Sequence, residues 1–183
     1  MTILEQLHQD HINLSRLLEV LEMKIQKLKA GDSPNFQLLS ELVEYIGNYA
    51  DQFHHPREDH MYHYFEKREA SLDRHLHECE RQHGDLKQLS KDVTELVDAV
   101  MHDAVIPMNE FIERLENFLE RERAHINFEE ETIFPAINAV SNDQDWQALE
   151  KDLPQPSDPL FGEKQGENYR EIYKAMLQDV NSA

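Results

Sequence analysis

Two stretches of the chain place a histidine four residues before a glutamate: His54 with Glu58, and His125 with Glu129. Positions i and i+4 share one face of an α-helix, about 6 Å apart, so each pair can aim an imidazole and a carboxylate at one place. His11 and His83 occupy positions in helical patterns that are otherwise apolar. One buried imidazole needs a hydrogen-bond partner; four at one level need a common reason. Together these four imidazoles and two carboxylates make the donor set of a non-haem metal pair, with two His for each ion and both carboxylates shared. Mixed nitrogen and oxygen donors with open positions suit iron, manganese or a mixed pair better than structural zinc, which closes its shell tetrahedrally. Two divalent ions also offset inward carboxylates that are costly to bury bare.

Four amphipathic segments must carry these residues. The first, residues 2–29, repeats Leu4, Leu7, His11, Leu14, Leu18, Leu21, Ile25 and Leu28 at spacings of three and four, a bundle seam with one polar member. The second, residues 34–67, runs from Leu39, Val43, Ile46 and Ala50 into His54, Glu58, Met61 and Phe65. Pro56 inside it predicts a kink and a freed carbonyl near Gln52. The third, residues 71–101, carries Leu72, Leu76, Cys79, His83, Leu86, Ser90, Val93, Val97 and Val100. The fourth starts near Pro107 and lines up Phe111, Leu115, Phe118, Glu122, His125, Glu129, Ile133 and Val140, with Pro135 marking a second kink or an end. Residues 1–141 thus read as the bundle. Residues 142–183 read as an irregular, Pro-rich tail. In it Ser141, Asn142 and Asp143 are placed to cap a short helix carrying Trp146 and Leu149. A second amphipathic helix follows, with Tyr169, Ile172, Tyr173, Met176 and Val180 on one side. The tail fits a clip across the bundle or a contact in a homodimer.

Three further residues border the expected centre. Cys79 fits a thiolate ligand, a redox sensor or a small core hydrophobe. Glu122, one turn before His125, either orients a ligand His through its second ring nitrogen or is solvated. Tyr62, four after Glu58, either approaches the centre or fills the core or an interface. His8 lies off the seam, and His55, His60, His63, His75, His77 and His102 read as surface residues or as lying behind a ligand. Gly47 and Gly84 interrupt helices, which close helix packing explains; a gas channel beside Gly47 is the other reading.

Composition narrows the partners. With 18 Lys plus Arg against 37 Asp plus Glu, the formal net charge is −19, which repels phosphate backbones and anionic lipid. A single Cys excludes an internal disulfide, and no apolar run approaches the length of a membrane span. The first residues lack a basic start followed by an apolar stretch, so the expected location is the cytoplasm. No Gly-rich nucleotide loop, nucleophile elbow or CxxC is present. A purely structural acidic bundle leaves four seam histidines unexplained.

Over about residues 2–140 the sequence resembles the hemerythrin-like (HHE cation-binding) family. The matching stretches are Asp10-His11, Phe53-His54-His55-Pro56-Arg57-Glu58, Glu80-Arg81-Gln82-His83, and His125-Ile126-Asn127-Phe128-Glu129-Glu130-Glu131 with Phe134-Pro135 after it. The resemblance implies an all-α, up-down-up-down antiparallel four-helix bundle with a short C-terminal helical extension. It further implies a carboxylate- and oxo-bridged di-iron centre. By position the metal ligands would be His11, His54, Glu58, His83, His125 and Glu129, with the two Glu bridging. Oxygen-carrying members have a second His four residues before the third-helix ligand, where this chain has Cys79. The four-His, two-Glu set looks more like the iron-sulfur-repair and nitric-oxide-responsive members, with a more symmetric centre open at both irons. The implied function is to bind, sense or reduce small oxidants (oxygen, peroxide or nitric oxide) with an unidentified redox partner. The alternative is iron storage, iron donation or iron-sulfur-cluster repair without turnover of its own.

Overall fold

The first helix starts where side chains can satisfy its loose N–H groups. Glu5 N–H donates to the Thr2 hydroxyl while Thr2 N–H donates to the Glu5 carboxylate, a reciprocal cap that opens α1 (Ile3–Lys29). Gly31, at φ 86°, turns the chain out of it. The computed structural model describes residues 2–153 together with residues 172 and 174. Asn35 caps α2 (Phe36–Tyr49), which passes through one π-helical turn, Ala50–His54, into α3 (His55–Phe65). Then come α4 (Ala70–Met101) and α5 (Met108–Phe128). A second π turn, Glu129–Ile133, leads into α6 (Phe134–Val140), and α7 (Asp143–Asp152) follows. Among the described residues all regular structure is helical.

The two expected kinks take the form of these π turns. Each ends two residues before a proline: His55 N–H reaches back five residues to Ala50, and Phe134 N–H to Glu129. Pro56 and Pro135 sit in the first turn of the helix that restarts, where a missing N–H costs least.

Partners across the helices show their directions. Along α1, Glu22 meets Arg123 at 2.7 Å and His11 meets Glu130 at 2.6 Å. Gln6 meets Arg57 at 2.7 Å, and His54 follows at Asp10. Gly47 faces Ser90, His55 stacks on His83, and Tyr62 reaches Cys79. Arg121 meets Asp85, while His125 meets Gln82. In every pair one number rises as the other falls, so helices in contact run antiparallel.

Two apolar clusters flank the buried polar residues. The larger joins Leu14, Leu18, Leu21 and Ile25 of α1 to Leu39, Val43, Ile46, Val93, Val97, Phe111, Leu115 and Phe118. The smaller joins Ile3, Leu7, Met61, Tyr62, Phe65, Leu72, Leu76, Cys79, Ile133 and Ile137. On each helix the buried His and Glu fall between members of one cluster and members of the other. The polar layer is therefore off-centre along the bundle, with the smaller cluster closing the near end.

Part of the tail is described. Asn142 and Asp145 form the cap of α7, and Leu149 is buried in the smaller cluster. Arg68 grips the Asp145 carboxylate with two N–H groups at 2.6 and 2.8 Å. Ile172 is buried against the larger cluster; the Pro-rich stretch and the rest of the expected second tail helix lie outside the described residues. Among the described residues no helix is long and apolar enough to cross a membrane. A Cβ on Gly47 would sit 1.7 Å from Ser90 Oγ, so helix packing requires that glycine. Nothing lies within 4 Å of a Cβ on Gly84, and close packing does not explain it.

Candidate metal centre

Each HxxxE pair sits at a π turn: His54 closes the first and Glu129 opens the second. The wider turns swing both pairs into the layer between the clusters, where α1 adds His11 and α4 adds His83. All six side chains are at most 5% exposed, and both glutamates are fully buried. His11 Nε2 lies 3.4 Å from Glu58 Oε1 and 3.1 Å from Glu129 Oε2, and His54 Nε2 lies 3.2 Å from Glu58 Oε1. His83 Nε2 lies 3.5 Å from Glu58 Oε2 and 3.4 Å from Glu129 Oε1. His125 Nε2 is 3.3 Å from Glu129 Oε2. Each carboxylate therefore turns one oxygen toward the His11 side and the other toward His83.

The outer ring nitrogens are all occupied. His11 Nδ1 meets Glu130 at 2.6 Å, His54 Nδ1 meets Asp10 at 3.4 Å, His83 Nδ1 meets Asp59 at 2.6 Å, and His125 Nδ1 meets the Gln82 amide oxygen at 3.1 Å. An acceptor on Nδ1 holds the proton there and leaves the Nε2 lone pair facing inward, the arrangement that metal-binding imidazoles require.

Charge in this layer is finely opposed. Burial and the repulsion of Glu129 push the Glu58 pKa up, but His54 and His11 outweigh them, and it falls below the usual range. Glu129 is likewise pulled down, burial opposing and His125, His11 and His83 prevailing. Both stay ionised. Burial opposes a proton on His83, yet Asp59 and Glu129 overcome it and push the ring up to about 10. His125 has a neutral amide behind it, and burial drags it down to about 4.

Several expectations change here. Gln82, not Glu122, holds the outer nitrogen of His125. Glu122 is not solvated either: it is 3% exposed, and burial, then the nearby Asp51 charge, pushes it up to about 8. Tyr62 does approach the centre, donating its O–H to Glu129 Oε1 at 2.6 Å. Cys79 is buried with Sγ 3.1 Å from the same oxygen. Of the two readings of His55, the surface one fails and the one behind a ligand holds: it is buried and stacked on His83 with ring centroids 4.2 Å apart. His8, off the seam, holds the outer side of Glu130 at 2.9 Å.

The donor set fits cations. His11 Nε2, His54 Nε2, His125 Nε2, both oxygens of Glu58 and Glu129 Oε2 are buried without a hydrogen-bond partner. Such atoms cost about 1–3 kcal/mol each, more when charged, unless something else binds them. Two donors about 2.1 Å from one small divalent cation lie roughly 3.0–3.4 Å apart for octahedral to tetrahedral angles. The distances of 3.1 to 3.5 Å match that spacing. His11, His54, Glu58 and Glu129 form one such group; His83 and His125 form others with Glu58 and His55 or with Glu129 and Cys79. A family model described as the hemerythrin HHE cation binding domain matches residues 2–137. No curated protein matches the chain.

Proposed function

Because the chain belongs to the hemerythrin HHE cation-binding family, we propose that His11, His54, Glu58, His83, His125 and Glu129 hold two iron ions in a protein that binds, senses or reduces small oxidants such as oxygen, peroxide or nitric oxide. The observation that carries this reading is the set of buried, inward-facing nitrogens and carboxylate oxygens that lack a hydrogen-bond partner. In this reading His11 and His54 would hold one ion and His83 and His125 the other, with Glu58 and Glu129 in reach of both pairs. Bound iron supplies reversible electron exchange and open positions for a small ligand.

The chain's own residues do the rest. Asp10, Asp59, Gln82 and Glu130 hold the outer nitrogens, so that each ring keeps its angle and its lone pair inward. Tyr62 ties down Glu129 from behind. The apolar clusters exclude bulk water and any large substrate. A surface depression lined by His8, His11, Ile126 and Glu130 lies over the outer edge of one ring. The antiparallel pairings support an up-down-up-down bundle within residues 1–141.

Metal analysis of the purified chain tests the reading. Two irons per chain are expected, with visible absorption that shifts on adding azide, peroxide or nitric oxide. Iron whose spectrum ignores all three would overturn the oxidant chemistry. A chain that takes up no iron would overturn the site itself.

A further inference from the structure

Among the described residues, the His83 half of the centre holds a donor with no counterpart in the group around His11. Cys79 lies one helical turn before His83 in α4, on the same face. It is fully buried, and its Sγ belongs to a group with ligand atoms of His83, His125 and Glu129 that all lie within 4.8 Å of one another. Its sulfur is 3.1 Å from Glu129 Oε1, and the same oxygen is 3.4 Å from His83 Nε2. A sulfur about 2.3 Å and an oxygen about 2.1 Å from one cation, at a right angle, are about 3.1 Å apart. Two residues of that group carry a buried atom without a hydrogen-bond partner, His125 at Nε2 and Glu129 at Oε2.

We propose that Cys79 is a thiolate ligand of the ion held by His83 and His125, so that the two ions carry unlike donor sets. The proposal rests on the two-metal reading above. On binding, the S–H bond breaks, a sulfur–metal bond forms, and the proton leaves to solvent; no oxidant or reductant is involved. The O–H of Tyr62, 2.6 Å from Glu129 Oε1, keeps its carboxylate bond while the thiol gives up its own.

His55 is the rival for this place, since its ring also comes within reach of Glu58, His83 and His125. Its ring lies nearly parallel to that of His83, at 9° and with centroids 4.2 Å apart. A cation in the plane of the His83 ring then lies well outside the plane of His55, and the His55 lone pair points past it. The sulfur of Cys79 has no plane to satisfy.

Cobalt(II) is the probe. Cys79 is the only cysteine in the chain, so a thiolate-to-cobalt charge-transfer band can come from nowhere else. Titration of the wild-type chain to two cobalt ions should produce that band in the near ultraviolet and release the thiol proton. Cys79→Ser and Cys79→Ala should lose the band and still bind the ion at His11 and His54. Two bound cobalt ions without the band in the wild type would overturn the thiolate and leave the two-metal reading standing. A band that survives in Cys79→Ser would also overturn it. A wild-type chain that binds no cobalt would sink both. The wild-type measurement decides the matter even if neither variant folds.

Discussion

His83 Nδ1 lies 2.6 Å from the carboxylate of Asp59, the residue next to Glu58. Adjacent positions of α3 thus act on the centre from two sides. Glu58 enters the layer, and Asp59 reaches round to the outer nitrogen of an imidazole on α4. Asp59 is also the strongest influence raising the His83 pKa against its burial. Asp59→Ala should weaken the ion at His83 by about 10–100-fold, the usual effect of losing such a partner. It should also lower the metal-free His83 pKa from about 10. Chelator competition reads the first effect and an NMR titration of the imidazole the second. Unchanged affinity would mean that the bond is incidental.

His54 and Glu58 are buried at 1% and 0% exposure, one turn apart. Without a cation they form part of an internal charge cluster whose desolvation is only partly repaid. Replacing a buried ion pair by apolar side chains is often neutral or stabilising, by about 1–4 kcal/mol. The double variant His54→Leu, Glu58→Leu should therefore match or exceed the melting temperature of the wild type in chelator. It should lose the rise in melting temperature that iron gives the wild type, a rise expected from linkage between binding and folding. A variant that melts far below the metal-free wild type would show that the pair is a structural ion bridge rather than a site awaiting metal.

Legibility of this centre in the sequence follows the physics of each residue. An imidazole at a leucine position breaks an apolar period, so His11, His54, His83 and His125 stand out. The i, i+4 rule attaches Glu58 and Glu129 to two of them. His55 was only half legible, as a surface residue or one behind a ligand, because consecutive residues of a regular helix point about 100° apart. The π turn Ala50–His54 adds a residue to one turn, and both His54 and His55 end up buried. Asp10, Asp59 and Gln82 escaped because they read as ordinary polar residues beside a seam; no spacing within α3 announces that Asp59 meets α4. Glu122 was legible as an inner position, but not its lack of a bond to His125, which depends on where Gln82 falls. The helices themselves were legible nearly to their ends, since caps and prolines mark them.

Asp145 fastens α7 to the bundle. It accepts two bonds from Arg68, one from the Tyr64 hydroxyl at 3.0 Å and one from Asn142 N–H at 2.8 Å. Arg68 first, with burial opposing and the Asn142 N–H assisting, holds its carboxyl well below the usual range. The folded pKa is thus below the unfolded value of about 3.9. The stabilisation is present above that value and is lost as pH falls from there toward the folded pKa. Asp145→Ala should cost about 1 kcal/mol near neutrality, the ordinary cost of losing a helix-end partner. The gap between variant and wild type should narrow as pH drops below about 4. Urea denaturation of both chains across that range measures it. A gap that widens on acidification would reverse the assignment.

Gly47 and Gly84 are the sharpest pair for testing the packing, because they share a residue type and differ in surroundings. Both lie within helices, where glycine costs about 0.5–1 kcal/mol relative to alanine. At Gly84 an added Cβ meets nothing within 4 Å, so Gly84→Ala should recover that amount as a higher melting temperature. At Gly47 the same methyl group would lie 1.7 Å from Ser90 Oγ and 3.0 Å from Ser90 Cβ. The serine must rotate and the α2–α4 contact must widen, and overpacking of this kind costs about 1–3 kcal/mol. The expected signs are therefore opposite. Rescue separates a clash from a general loss of helix fit. Ser90→Ala removes the Oγ contact and leaves the 3.0 Å one, so it should restore part of the loss in Gly47→Ala. Ser90→Gly removes both contacts and should restore more, less its own helix cost of about 1 kcal/mol. Double-mutant cycles on thermal denaturation read the coupling directly. Additive losses with no coupling between positions 47 and 90 would show that the two helices are not held together at this point.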